Sequence, residues 1–221
     1  MLSSGKKSLE EIALKLGKPQ SGDLSEIMSD LILAGFVARD FTWNVKTGKI
    51  SNLSYFRLKD NYVRFYLKYI LPNKPRIDKN EFQPQTVTAL PAWDTIMGLQ
   101  FENLVLNNSH EIIHRLNINP SEVVFSNPFF QKGTSRQPGC QIDFMIQTRF
   151  SCVYVCEIKF YRFEIGPEII TEVQKRIENL KLPRHFSYRP VLIHVNGVRE
   201  DVVDSGYFSH ILDFSKLLLE S

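Results

Sequence analysis

The sequence predicts an α/β chain: a helix–helix–strand–strand module at the N-terminus, then an αβββαβ domain with a mixed central sheet. Three observations carry that prediction. Segments 140–146 and 152–160 are apolar and rich in β-formers, with the short stretch 147–151 free to turn between them. Ile169, Ile170, Val173, Ile177 and Leu180 then recur at helical spacing, before another apolar run at 188–195. At the other end, Ser8 and Glu11 stand three apart like a capping box, and Gly17 can close the helix they open.

Taken in order, a second helix follows over 23–34, capped near Ser21 or Asp23. Two β-like stretches, 37–43 and 55–58, then flank Lys46-Thr-Gly-Lys49. A helix is expected over 93–116; Gly98 lies one turn before Glu102 and would let that helix approach a sheet closely. A short strand at 123–126 precedes the two apolar strands. The next helix starts at Pro167 and ends before Pro183, with Glu168, Glu172, Lys175, Arg176 and Glu178 directed outward. The strand 188–195 ends at Asn196-Gly197. The expected divisions are 1–58, a basic helical connector at 59–90, and 91–221.

The informative chemistry lies in the paired strands. Asp143 and the triplet Glu157-Ile-Lys159 put two carboxylates and an ammonium into otherwise apolar segments. Strand side chains alternate faces, so Glu157 and Lys159 share a side, and a hairpin register can set Asp143 beside Glu157. Such charges are costly to bury unless they pair or hold a metal. Paired carboxylates suit Mg²⁺ or Mn²⁺, which activates water and neutralises charge on a phosphodiester, while a lysine stabilises the transition state. A purely structural ion-pair network is the competing explanation.

Composition narrows the classes. No run approaches eighteen apolar residues and no apolar signal core opens the chain, so a cytoplasmic protein is expected, without a membrane partner. Cys140, Cys152 and Cys156 lack zinc spacing and read as small apolar fillers. The net charge of +3 hides an asymmetry: residues 1–90 hold 14 Lys/Arg against 9 Asp/Glu, and the remainder 13 against 15. Lys46, Lys49, Arg64 and Lys68 fall in the most basic stretch and are candidates for phosphate contact. The helix over 21–35 has Asp23, Glu26 and Asp30 and no Lys or Arg, which suits protein docking better than DNA. No G-x-x-x-x-G-K-[ST] is present, so this chain has no such route to ATP.

The Asp143…Glu157-Ile-Lys159 spacing resembles the signature of the restriction-endonuclease-like, PD-(D/E)XK nuclease fold. That resemblance implies that Glu102 joins Asp143 and Glu157 as a metal ligand, and that Gln174 and Lys175 supply an accessory polar position. The N-terminal segment resembles the second and third helices and wing of a winged helix-turn-helix. Residues 1–7 are too short for the first helix, so the domain reads as partial and cut into. The face of Ile12, Leu16, Leu31 and Ile32 would then be covered by another copy of the chain, by the nuclease-like domain or by an upstream segment. With Leu58-Lys-Asp60, Arg64-Phe-Tyr66, Phe101-Glu102, Ile142-Asp143 and Glu157-Ile-Lys159, the whole resembles the C-terminal half of archaeal-type ATPases of the AAA/STAND group. This implies a divalent-metal-dependent DNA nuclease, or nuclease-like module, governed by an ATPase domain upstream or on a separate chain. The alternative is a non-catalytic module docking the ATPase or DNA.

Overall fold

Ser8 Oγ accepts from Glu11 N at 3.1 Å and Glu11 Oε2 accepts from Ser8 N at 2.7 Å, opening α1 (Leu9–Leu16). Gly17 ends it in the left-handed region at φ 61°, where a side chain would be strained. Ser21 caps α2 (Gly22–Leu33). The apolar faces of both helices bury Ile12, Ala13, Leu24 and Met28 in one cluster with Val37 and Phe56, from the paired strands β1 (Val37–Trp43) and β2 (Ile50–Leu58). The face formed by Ile12, Leu16, Leu31 and Ile32 is split: Ile12 is buried, whereas Leu16 is 49% exposed.

The stretch from 59 onward is a series of short turns. Asp60 caps α3 (Asn61–Phe65), a π-helical turn covers Tyr66–Ile70, and α4 (Lys74–Asp78) follows. The helix expected over 93–116 breaks into α5 (Trp93–Asn107) and α6 (Ser109–Arg115). At the break, Asn108 Nδ2 donates to the Leu104 carbonyl at 2.8 Å, and the backbone leaves helical geometry.

The computed structural model describes residues 1–83, 86–135 and 137–218. Its compact units do not follow the chain in sequence blocks. One comprises Met1–Asp40 and Ser54–Asn103, the other Phe41–Leu53 and Leu104–Ser221, so both the β1–β2 hairpin and α5 contribute to each.

The second unit holds a five-stranded sheet in the order β3 (Val123–Gln131), β4 (Cys140–Thr148), β5 (Cys152–Lys159), β6 (Ser187–His194), β7 (His210–Asp213). The first three strands are antiparallel neighbours, and β5, β6 and β7 run parallel, giving the mixed sheet. The crossover from β5 to β6 is the amphipathic helix α7 (Glu168–Asn179), as a parallel connection requires. Ile169, Val173 and Ile177 of α7 share a buried cluster with Met145, Val153, Val155 and Leu192. Ile146, Cys156 and Ile193 alternate with these along the strands and are also fully buried, so the sheet is covered on both faces. Strand β3 outruns its expected four residues because it is an edge: Pro128 needs no ladder partner there and sits where the register shifts. Among the described residues, no helix is long and apolar enough to cross a membrane.

Candidate functional site

The β4–β5 register pairs Met145 with Val155 and Phe144 with Cys156, so one further step sets Asp143 opposite Glu157. Asp143 Oδ2 accepts from Ile158 N at 3.1 Å, which ties its carboxylate to β5. Glu157 lies on the sheet face covered by α7, with its side chain 4% exposed against 15% for Asp143. Two cations complete the cluster. Arg176 Nη1 of α7 donates to Glu157 Oε2 and lies 3.8 Å from Asp143 Oδ2. Lys159 Nζ lies 3.1 Å from Glu157 Oε1 and 2.9 Å from Glu172 Oε2. The contact with Glu157 Oε1 is an ion pair in distance alone: that buried oxygen has no partner in hydrogen-bond geometry.

Burial is the first cause of Glu157's raised pKa, and the neighbouring Asp143 charge adds to it. Arg176 and Lys159 offset part of this, leaving the carboxyl pushed up to about 7. Burial pulls Lys159 down, but Glu157 and Glu172 outweigh it and hold the ammonium above its ordinary value. Arg176 is raised in the same way, with Glu157 and Asp143 overcoming its desolvation. The arrangement therefore stores negative charge, one titratable proton and two cations in one half-open place.

Glu172 and Arg176 were expected to point outward and do not. At about 100° per residue they lie on one flank of the Ile169–Val173–Ile177 stripe, roughly 100° and 60° from its centre. Their i, i+4 spacing beside that stripe was the available signal. Gln174 and Lys175 are exposed on α7, and neither makes a contact with the cluster among the described hydrogen bonds and ion pairs. Glu102 pairs with Lys6 at 3.3 Å within the first unit. Arg64 is not a surface cation at all. It is 2% exposed and donates to the carbonyls of Leu2 at 3.3 Å, Ser3 at 3.0 Å and Leu58 at 2.8 Å. Burial lowers its pKa to about 10. Lys46 and Lys49 are exposed, and Lys68 is half-buried.

Among the described residues, no three His, Cys, Asp or Glu side chains converge into a metal cage. The Asp143–Glu157 pair nevertheless suits Mg²⁺ or Mn²⁺, because such ions commonly take one or two carboxylates and complete their shell with water and phosphate oxygens. Glu157 Oε1, buried and without a partner in hydrogen-bond geometry, is a hard donor of the required kind.

No protein-family model matches the chain. It is 30% identical over 105 residues to the uncharacterized protein MJECL04 of Methanocaldococcus jannaschii, an alignment covering 47% of this chain and 22% of that protein. The chain thus matches about a fifth of its relative's length. Among solved structures, the chain resembles protein AF1548, of unknown function, at 14% identity and TM-score 0.34, over 46% of this chain and 53% of that one. A repair endonuclease from Pyrococcus abyssi is similar at 15% identity and TM-score 0.33, over 50% of this chain and 43% of the endonuclease.

Proposed function

We propose that residues 91–221 form a PD-(D/E)XK-type DNA nuclease module dependent on Mg²⁺ or Mn²⁺, preceded by a winged-helix-like module at 1–58 and a connector at 59–90. The chain would act in the cytoplasm under the control of a P-loop ATPase. One observation carries this reading: Asp143 and Glu157 stand side by side on adjacent strands, with Lys159 against Glu157. Asp143 and Glu157 would hold the cation, which when bound polarises a phosphodiester and lowers the pKa of water. Glu172 pairs with Lys159, whose positive charge would stabilise the charge growing on phosphate. Glu157 must lose its proton to ligate, so metal affinity rises with pH through about 7.

Arg176 supports a second reading. Its guanidinium pairs with both carboxylates, as in a structural ion-pair network serving a non-catalytic protein- or DNA-docking module. The two readings part on metal. Calorimetric titration with Mn²⁺ should show binding to the wild type that is lost in Asp143→Asn. Cleavage of supercoiled, linear, branched or single-stranded DNA should fall by about 100-fold or more in the same variant. No Mn²⁺ binding by the wild type would leave the docking module as the better reading.

A further inference from the structure

Beside the acidic cluster, on the second unit, lies an open groove of about 730 Å³. Its polar lining includes Lys46, Lys132, Lys181, Arg184 and His185, and no Asp or Glu is among its described lining residues. Some surface cations elsewhere pair with carboxylates: Lys74 with Asp78, Lys7 with Glu11, Arg199 with Asp201. Among the described residues, none of the four Lys and Arg side chains of the groove has an ion-pair partner. All four are exposed. Like charges gathered in one concavity raise the local potential and draw in an anion.

The groove is joined to the acidic cluster through the elements that build both. Gln131 stands opposite Cys140 at the start of β4, and Cys140 Sγ contacts the Arg176 carbonyl at 3.2 Å. Gln131 Nε2 donates to the Asn179 carbonyl at 2.7 Å, and its Oε1 accepts from Lys181 N at 2.9 Å, fixing the cationic segment that follows α7. Asp143 is three residues further along β4, about 10 Å at roughly 3.3 Å per residue.

We propose that this groove binds the phosphodiester backbone of a nucleic acid on one side of the Asp143–Glu157 cluster. Placing it beside a cut rests on the nuclease reading; the binding does not. Lys46, chosen from sequence as a phosphate contact, belongs to this groove, whereas Lys132, Lys181 and Arg184 were not foreseen.

The test is fluorescence anisotropy on the full chain in EDTA, with labelled duplex DNA, single-stranded DNA and single-stranded RNA of equal length. Lys181→Glu/Arg184→Glu should weaken binding at least tenfold and reduce the duplex salt slope by about 2, near 0.9 for each lost phosphate contact. Lys15→Glu/Lys18→Glu, an equal charge change at exposed sites in the first unit, should cost less than threefold. Lys46→Glu provides a second probe on a different element, and thermal melts check that each variant is folded. Binding is read in EDTA, without metal or cleavage, so a failed cleavage assay leaves this result standing. Equal losses in the groove and control variants would overturn the proposal. So would a wild type that binds none of the three nucleic acids, or one that binds a poly-glutamate peptide instead.

Discussion

Arg64 in the first unit and Glu157 in the second are both almost wholly buried, yet their partners differ in kind. Arg64 donates to three backbone carbonyls, and nearby Arg57 bridges the buried Asp40, at 3.0 Å, to Asn103. Backbone carbonyls are fixed by the elements that carry them, so Arg64 has one arrangement and serves the scaffold. Glu157 is instead surrounded by side chains, Arg176, Lys159 and Asp143, and the Arg176 side chain is 34% exposed. Side-chain partners can rotate away and be replaced by another cation. Burial of charge alone does not mark a site; the exchangeability of its partners does.

The largest effect should come from breaking the fixed network. Arg64→Ala removes three hydrogen bonds to carbonyls, at about 1 kcal/mol or more each. The melting midpoint of the chain should then fall by roughly 6–12 °C. DNA affinity per folded molecule should not change, because the guanidinium faces no solvent. A normal midpoint with weakened DNA binding would return Arg64 to the role suggested by its sequence.

Glu157 allows a pH test of the exchangeable network. The folded chain holds this proton up to about 7, against an ordinary value of 4.5, so between those values the folded state binds one more proton than the unfolded. This group's contribution to stability is therefore full below 4.5 and declines as pH rises towards 7. Glu157→Gln should match the wild type near pH 5 and exceed it by on the order of 2 kcal/mol at pH 8 in urea titrations. A variant that loses stability above pH 7 would mean that Arg176 and Lys159 depend on the carboxylate more than burial opposes it.

The smallest effect should be at Glu172. Its side chain is 42% exposed, so its pair with Lys159 is screened. Glu172→Gln should cost about 0.5 kcal/mol and shift the midpoint by less than about 2 °C. A fall of more than about 5 °C would place Glu172 inside the buried network rather than at its rim.

Features governed by short-range periodicity are legible in the sequence. The capping box at Ser8, the α7 stripe and the apolar hairpin strands are local patterns. Alternation along β5 also required Glu157 and Lys159 to share a face, and the short turn brought Asp143 level with them. Tertiary structure decided what depends on the rotation or environment of a whole element. Glu172 and Arg176 reach the cluster because packing sets the rotation of α7, and a charged residue flanking an apolar stripe can face either solvent or sheet. Arg64 looked like one more residue in a basic stretch until the carbonyls of Leu2, Ser3 and Leu58 converged on it from separate segments. Pro128 inside β3 and the added strand β7 were equally illegible, since edge position is a property of the assembled sheet. Lys132 and Lys181 lie 49 residues apart. Only the fold brings them to the same groove, because Gln131 ties the end of β3 to the residues that follow α7.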